Sequence, residues 1–211
     1  MGVVIVRNPD FWVVEGVGAQ DLIAPDAVVN CENSGTALRL LLPYASSFDF
    51  PIMVDGDSTL RSRHLPTLTA ALIALGAEIS HLNEPNSLPC LVKGPLKPSS
   101  INLDVSMSSQ PLSSILFAMP RISATVDVEI HGSAVSRRHA ELSFRIAEET
   151  GSSNRWDASM DSIHLESWAP ITPNNVQIPG DMSLVSFGLL FARLHGAKLT
   201  IPRLPAENEG L

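Results

Sequence analysis

Four short segments of this 211-residue chain combine small polar residues, often with arginine, at places where a helix is expected to begin. They are residues 33–39, 56–63, 108–110 and 136–139. The first turn of a helix carries free backbone N–H groups and the positive end of the helix dipole, so it binds anions such as phosphate and carboxylate. Arginine binds the same groups through a planar fork of donors. The four segments therefore predict a binding site for an anionic small molecule.

Each of these segments also has a simpler explanation as a helix cap or a solvated turn, and both readings stay open at this point. In the first segment, Gly35 would let a ligand approach the backbone closely. In the second, Arg61 and Arg63 lie two positions apart, so both would address one anion if the stretch is extended. The alternative there is a solvated arginine pair.

The other two segments carry hydroxyl, amide and imidazole groups. Ser108 and Ser109 would offer hydroxyls to a phosphate, and the Gln110 amide would reach a neighbouring carboxylate or hydroxyl. In the last segment Ser136 is followed by two arginines and then by His139, which alone among the six histidines lies in a cluster of this kind. Plain capping and a basic solvated turn are the respective alternatives.

Several other kinds of chemistry are disfavoured by the sequence. It contains no Gly-x-Ser-x-Gly elbow of a hydrolase and no Gly-Lys-Ser/Thr of a phosphate-binding loop. Cys31 and Cys90 have no partner at metal-ligand spacing, and we expect both to be buried free thiols. We expect no metal and no organic cofactor.

Composition limits the class of protein. The formal charge of −8, from 14 basic and 22 acidic residues, argues against a nucleic-acid surface. No apolar run approaches the roughly 18 residues that a membrane-spanning helix needs. Because 45% of the residues are hydrophobic, the chain has enough apolar material for one sizeable core or two small ones. We expect a soluble cytoplasmic globule that binds no nucleic acid or membrane.

Strand-like and helical patterns alternate along the chain, which predicts an α/β or α+β fold. The strand-like runs are residues 3–6, 52–54, 91–92, 126–130 and 199–201. Apolar residues at helical spacing predict helices over residues 65–75, 112–119 and 184–194, ending near Gly76, before Pro120 and near Gly196.

A weak internal repeat of about 75 residues joins these elements into similar units. Residues 101–116 fall in step with residues 176–191 as a strand, a small polar turn and a helix, and a fainter copy sets Asn33 opposite Ser108. In each copy the turn offers Asn, Ser or Thr at the expected helix cap. Three such turns would converge on one anionic ligand.

Taken in order, the segments resemble the 5-enolpyruvylshikimate-3-phosphate (EPSP) synthase family. The resemblance rests on residues 33–39, 56–63, 108–110, Ser136 and residues 180–183, and it covers nearly the whole chain. It implies transfer of the enolpyruvyl group of phosphoenolpyruvate to the 5-hydroxyl of shikimate 3-phosphate, with release of phosphate and without a cofactor. It also implies a lobe of repeated βαβαββ units arranged as an inside-out α/β barrel.

The resemblance also implies roles for individual residues. Ser108, Ser109 and Ser136 would hold shikimate 3-phosphate, Gly35 and Arg63 would contact phosphoenolpyruvate, and Gln110 would touch both substrates. Supporting positions in the same turns are Asn33, Thr36, Arg39 and Asp181. His139 stands where the family usually has a tyrosine near the shikimate ring, and an imidazole there would make binding depend on pH.

By the same resemblance, the chain corresponds to the central portion of the synthase. We expect residues 1–180 to form a substrate-binding lobe that is incomplete at its N-terminus, and residues 181–211 to begin the return to a second lobe. The catalytic acid and base remain unassigned, and a complementing chain or lobe would supply the missing segments. The alternative is a catalytically inactive module of the same fold that binds a sugar phosphate.

Overall fold

The structure, a computed structural model, describes residues 1–18, 21–63, 65–97, 99–123, 125–176, 178, 181–202 and 204. The strands within them are β1 (Val4–Arg7), β2 (Trp12–Glu15), β3 (Val29–Asn30), β4 (Ile52–Asp55), β5 (Glu78–His81), β6 (Cys90–Lys93), β7 (Ser100–Asp104), β8 (Val126–His131) and β9 (Ser162–Leu165). The α-helices are α1 (Gly35–Ala45), α2 (Ser58–Arg61), α3 (Pro66–Ala74), α4 (Gln110–Ala118), α5 (Arg137–Glu149) and α6 (Met182–His195).

The chain divides into two compact units, Met1–Pro170 and Ile171–Leu211. The first contains every described strand and helices α1 to α5, and the second contains α6. No helix in the described ranges is long and apolar enough to cross a membrane.

The first half of the larger unit follows the order β3-α1-β4-α2-α3-β5-β6. Its four strands pair in the spatial order β3-β4-β6-β5, with β3 parallel to β4 and the other neighbours antiparallel. Alternate residues of the central strands are buried, among them Ile52, Val54 and Val92, so one face of the sheet packs on the core. Apart from the short helix α2, this is a βαβαββ unit.

The second half repeats the order as β7-α4-β8-α5-β9, with β7 parallel to β8 and β9 antiparallel to β8. A segment before β9 supplies a substitute for the remaining strand. Its residues Ser152, Asn154 and Trp156 are buried alternately, as in a strand. The Asn154 side chain accepts a hydrogen bond from the Glu166 backbone N–H at 2.7 Å and donates one to the Glu166 carbonyl at 2.9 Å. The Asn154 side-chain amide thus forms the two hydrogen bonds that the backbone of a neighbouring strand would form.

Helices α1, α4 and α5 pack side by side, with α4 in the middle. Nearly every residue of α4 is buried, including Leu112 and Ile115, whereas the outward residues of β7 and β8 are exposed. Helix α4 therefore lies inside, and the outer face of the β7-β8-β9 sheet is exposed. Just after α4, Arg121 donates from Nε to Ser47 Oγ at 2.9 Å and stacks on Phe48, which ties α4 to the far end of α1.

Most of the predicted elements are confirmed. Helices cover residues 66–74, 110–118 and 182–195, and a 3-10 turn, Met119–Arg121, continues α4 through Pro120. Strands were correctly predicted at residues 4–6, 52–54, 91–92 and 126–130, and Cys31 and Cys90 are free and buried.

Two strand predictions are wrong among the described residues. Residues 199–201 form no strand, and neither does Val176 or Ile178. Apolar alternation alone does not make a strand without a partner to accept its backbone hydrogen bonds. The third copy of the repeat therefore keeps its helix, α6, but not the preceding strand.

Candidate functional site

Helix α1 begins at a tight, capped turn. The Ser34 hydroxyl accepts a hydrogen bond from the Ala37 backbone N–H at 3.1 Å, and Gly35, the first helical residue, is buried. A neighbouring loop closes on this turn through Gly56, where an added Cβ would lie 2.7 Å from the Glu32 carbonyl oxygen. Glycine at position 56 thus permits the close approach that brings the two loops together.

Two arginines converge on Gly35. Arg39 donates from Nη1 to the Gly35 carbonyl at 3.1 Å, and Arg63 donates from Nη2 to Asn33 Oδ1 at 3.3 Å. A Cβ built on Gly35 would lie 2.8 Å from Arg39 Nη1 and 3.1 Å from Arg63 Nη1. Both guanidinium groups therefore lie against the same backbone position, as a clamp for an anion would require.

The electrostatics of this pair favour a bound anion. Burial lowers the pKa of Arg39, and the nearby charge of Arg63 lowers that pKa further. Within the described part of the chain, neither arginine forms an ion pair with a carboxylate. Two like charges placed together without a counterion repel each other, and a carboxylate or phosphate would relieve that repulsion.

Arg61 does not join them, because the condition under which Arg61 and Arg63 would address one anion, an extended stretch, is not met. The stretch is the short helix α2 and not an extended strand, so the two side chains diverge. Arg61 instead forms two hydrogen bonds to Asp55, at 2.8 Å from Nε and 2.5 Å from Nη2. These bonds hold the pKa of the Asp55 carboxyl below its usual value.

The start of α4 lies beside the start of α1. The Gln110 side chain donates from Nε2 to Thr36 Oγ1 at 3.1 Å, across 74 residues of sequence. Ser108 Oγ accepts a hydrogen bond from the Gln110 backbone N–H at 3.2 Å, which leaves the Ser108 hydroxyl proton available to another acceptor. Ser109 is fully buried and donates to the Ser136 carbonyl oxygen at 3.0 Å.

The start of α5 completes the group. Ser136 caps this helix in the left-handed conformation, with φ 57° and ψ 38°, and its side chain makes no capping hydrogen bond. The first turn contains no acidic residue, and its exposed side chains include Arg137, Arg138 and His139. Cations are disfavoured at this end of a helix dipole, so an anion bound nearby would offset their repulsion.

The structure thus brings together ten of the eleven predicted site residues, at the N-terminal ends of α1, α4 and α5. They are Asn33, Gly35, Thr36, Arg39, Arg63, Ser108, Ser109, Gln110, Ser136 and His139. Asp181 belongs to the unit Ile171–Leu211, and Gly180 lies outside the described residues. Two turns of the internal repeat, those at Asn33 and Ser108, lie in this cluster. The turn at Ser136 is the other one in the cluster, and it does not belong to the repeat.

Sequence reasoning missed two contributions to this arrangement. The sequence predicted that the Gln110 amide would reach a carboxylate or hydroxyl, but not that the partner would be Thr36, because no local pattern reports on residues so far apart. The Asp55 carboxylate that removes Arg61 from the site was also missed. Its position at the end of a predicted strand, six residues before Arg61, was the available signal. Among the described residues, no group of three or more His, Cys, Asp or Glu side chains could hold a metal ion.

Comparison with known proteins agrees with this geometry. The family model for EPSP synthase (3-phosphoshikimate 1-carboxyvinyltransferase) matches residues 1–209. A 3-phosphoshikimate 1-carboxyvinyltransferase of Gluconobacter oxydans is 35% identical over 92% of this chain and 43% of its own length. The corresponding protein of Methanothrix thermoacetophila is 34% identical over 87% of this chain and 43% of its own length.

Solved structures give the same result. An EPSP synthase from Acinetobacter baumannii superposes with a TM-score of 0.73 at 27% identity, over 91% of this chain and 42% of that one. The chain spans less than half the length of each of these three proteins. The fold is the mixed α/β fold of the enolpyruvyl transferases, and by sequence and structure alike the chain belongs to the EPSP synthase family.

Proposed function

We propose that this chain forms the acceptor-binding part of an enzyme that transfers the enolpyruvyl group of phosphoenolpyruvate to shikimate 3-phosphate. In this reaction a bond forms between the acceptor's 5-hydroxyl oxygen and C2 of phosphoenolpyruvate, the bond from C2 to the phosphate oxygen breaks, and phosphate leaves. The hydroxyl proton must also be removed. The observation that carries the proposal is the convergence of Arg39 and Arg63 on Gly35, beside hydroxyl groups at the starts of α4 and α5.

The acceptor phosphate fits at the starts of α4 and α5. Ser108 retains a hydroxyl proton to donate, and the Ser136 hydroxyl is free of any capping bond. Both lie where helix dipoles and backbone N–H groups stabilise negative charge. His139, in the first turn of α5, would contact the acceptor ring as a hydrogen-bonding or stacking partner.

Phosphoenolpyruvate fits against the other side of the cluster. The guanidinium groups of Arg39 and Arg63 provide planar donors for its carboxylate or phosphate, and Gly35 leaves room between them. Gln110 lies between the two halves because its amide reaches Thr36 on α1 while its backbone begins α4. It would therefore touch both substrates and hold them at a fixed separation.

The remaining organisation is proposed on the family relationship. Residues 1–180 would form the acceptor-binding lobe, and residues 181–211, with Asp181, would lead into a second lobe. That lobe, in the same polypeptide or a complementing one, would supply the acid and base that move protons in the transfer. Such an enzyme would work in the cytoplasm.

Calorimetric titration of shikimate 3-phosphate into the chain tests the proposal. We expect saturable binding that the Ser108→Ala change weakens about tenfold to a hundredfold, since a hydrogen bond to a charged group is worth about 1.5–3 kcal/mol. Ser113→Ala is the matched control because Ser113 lies on the same helix, is buried, and has a hydroxyl oxygen with no hydrogen-bond partner among the described residues.

Three outcomes would count against the proposal. No binding by a chain that circular dichroism shows to be folded would refute the acceptor site. Binding of a nucleotide sugar in place of shikimate 3-phosphate would indicate a different acceptor. Binding without turnover after a second lobe is supplied would favour the inactive sugar-phosphate module.

A further inference from the structure

We propose that Glu32 is a positioning residue, whose left-handed backbone, and not its carboxylate, holds Arg63 beside Gly35 for the binding of phosphoenolpyruvate. This proposal rests on the proposed function, since it concerns the phosphoenolpyruvate side of that site. Glu32 lies just outside the first of the four segments expected to bind an anion, residues 33–39.

The backbone of Glu32 has a conformation that glycine favours. Its φ is 49°, whereas residues with a Cβ rarely have positive φ. Glu32 is the first central residue of a turn closed by a hydrogen bond of 2.9 Å from the Ser34 backbone N–H to the Cys31 carbonyl. The Glu32 N–H donates to Asn30 Oδ1 at 2.9 Å. Strained residues persist where surrounding contacts enforce them, and they are concentrated at functional sites.

The turn at Glu32 belongs to a closed series of hydrogen bonds that includes Arg63. The Glu32 carbonyl accepts from the Asp57 backbone N–H at 2.8 Å, and the Asp57 carboxylate accepts from the Leu60 backbone N–H at 2.7 Å. The Leu60 carbonyl accepts from the Arg63 backbone N–H at 3.1 Å. Arg63 reaches back from Nη2 to Asn33 Oδ1, at 3.3 Å. Glu32 is therefore tied to the loop of Arg63 through its own carbonyl and through the side chain of the next residue.

The left-handed conformation allows both ties at once. Rotation about the N–Cα bond of Glu32 moves its carbonyl and every later atom of the turn relative to strand β3. At the negative φ that other residues adopt, the carbonyl would no longer face Asp57, and Asn33 would no longer face Arg63. Arg63 would then lose the contact that directs its guanidinium group towards Gly35.

The carboxylate of Glu32 takes no part in these contacts. Glu32 is exposed, and within the described ranges its side chain forms no hydrogen bond or ion pair. A negative charge would also not assist the binding of an anionic substrate. The function of this position therefore depends on the backbone conformation, which glycine would adopt without strain.

Three substitutions at position 32 separate the backbone from the carboxylate. Glu32→Gly allows positive φ and removes the charge, Glu32→Gln removes the charge alone, and Glu32→Val makes positive φ strongly unfavourable because its Cβ is branched. Calorimetry measures the dissociation constants for shikimate 3-phosphate and, in its presence, for phosphoenolpyruvate. Urea unfolding measures stability. The side-chain Nε–Hε NMR signal of Arg63, assigned from its absence in Arg63→Lys, reports on the guanidinium group.

The three substitutions should have different effects. We expect Glu32→Gly and Glu32→Gln to bind phosphoenolpyruvate within about twofold of the unchanged chain. Glu32→Gly should unfold at a higher urea concentration, since relief of the strain exceeds the added freedom of the unfolded chain. Glu32→Val should displace the Arg63 signal and weaken phosphoenolpyruvate binding about tenfold or more, with the affinity for shikimate 3-phosphate kept within about twofold.

Glu78 is the matched control because it is also exposed but lies on strand β5, without positive φ. At such a position glycine weakens a strand and valine suits it. Glu78→Gly should therefore unfold at a lower urea concentration, and Glu78→Val should not. Neither change should alter the affinity for phosphoenolpyruvate or the Arg63 signal.

Three results would overturn the proposal. Weaker phosphoenolpyruvate binding by Glu32→Gln or Glu32→Gly would mean that the glutamate side chain itself acts on the substrate. Unchanged phosphoenolpyruvate affinity or an unchanged Arg63 signal in Glu32→Val would mean that the turn does not position Arg63 for binding. Equal loss of affinity for both substrates in Glu32→Val would indicate a general role in the fold. If the unchanged chain binds neither substrate, the proposed function fails, while the Arg63 signal still decides whether residue 32 positions Arg63.

A second variant covers the case in which Glu32→Val does not fold. Asn33→Ala removes the acceptor of the bond from Arg63 Nη2 and adds no backbone strain. We expect Asn33→Ala to displace the Arg63 signal and to weaken phosphoenolpyruvate binding in the same way. An unchanged Arg63 signal in this variant would show that the turn at Glu32 does not direct Arg63, and the proposal would be wrong.

Discussion

Replacing Gly35 by alanine separates the stability of the α1 turn from its ability to bind an anion. The added methyl would enter the space between the two arginines, 2.8 Å from Arg39 Nη1 and 3.1 Å from Arg63 Nη1. Ordinary contact begins near 3.4 Å, so the two guanidinium groups would have to withdraw by roughly 0.6 and 0.3 Å. Both are the ends of flexible side chains, which can move without disturbing the backbone.

The expected change in the free energy of unfolding is therefore small. Alanine restricts the unfolded chain more than glycine does, which stabilises the fold by about 0.4–1 kcal/mol where the backbone conformation permits it. Gly35 does not have positive φ, so alanine is permitted there. Weakening of the hydrogen bond from Arg39 to the Gly35 carbonyl opposes this gain by part of the roughly 1.5–3 kcal/mol that a bond to a charged group is worth, because the bond lengthens without breaking. We expect a net change within about 1 kcal/mol of zero.

Binding should suffer more than stability. Displaced guanidinium groups lose the geometry needed to grip a carboxylate or phosphate with two parallel bonds. A loss of about 1.4 kcal/mol corresponds to a tenfold weaker affinity. Urea unfolding measures the stability change, and titration of phosphoenolpyruvate in the presence of shikimate 3-phosphate measures the affinity. Destabilisation by more than about 2 kcal/mol, or affinity equal to that of the unchanged chain, would refute this reasoning.

Three further predictions concern buried and paired groups. Gly94→Ala should prevent folding or cost more than about 3 kcal/mol in urea unfolding, because its Cβ would lie 2.0 Å from the Ser46 carbonyl oxygen, a backbone atom that cannot give way. Burial raises the pKa of the Cys90 thiol to about 12, so a charged disulfide reagent at about pH 8 should react with it in denaturant but not in the native chain. Asp55→Asn should reduce the loss of thermal stability between about pH 5 and 2, because the bonds from Arg61 lower the pKa of this carboxyl in the folded state.

The sign of the last effect follows from the direction of the pKa change. A carboxyl whose pKa is lower in the folded state stabilises the fold above its unfolded-state pKa, and that contribution disappears as the pH falls through the folded-state value. If Asp55→Asn lost as much thermal stability as the unchanged chain between about pH 5 and 2, this reasoning would be contradicted. Rapid native labelling of Cys90, or a Gly94→Ala variant as stable as the parent, would contradict the other two predictions.

The sequence predicted the helices better than the strands, for a physical reason. A helix satisfies its hydrogen bonds within itself, so the spacing of Leu68, Leu72 and Leu75 was enough to place α3. A strand needs a partner, and residues 199–201 have a strand-like pattern without one in the described chain. The hairpin strand β2, Trp12–Glu15, was missed although its apolar run is like the one that placed β1.

The sequence predicted which residues belong to the site, but not the hydrogen bonds that connect them. The small polar turns before Gly35 and Gln110 are local patterns, so they could be recognised directly in the sequence. The bond from Ser109 to the Ser136 carbonyl depends on how α4 and α5 pack, which no local pattern reports. The same holds for Arg61, whose helical turn directs it to Asp55 and away from Arg63.

The amide of Asn154 has a consequence for how this protein behaves among its own copies. A free strand edge exposes N–H and C=O groups on which another chain can build, and proteins that leave such edges open are prone to associate. Beside β9 the Asn154 side chain already occupies the N–H and the carbonyl of Glu166. An incoming strand would have to break both bonds before it could pair there, so this side chain protects the end of β9 against strand addition.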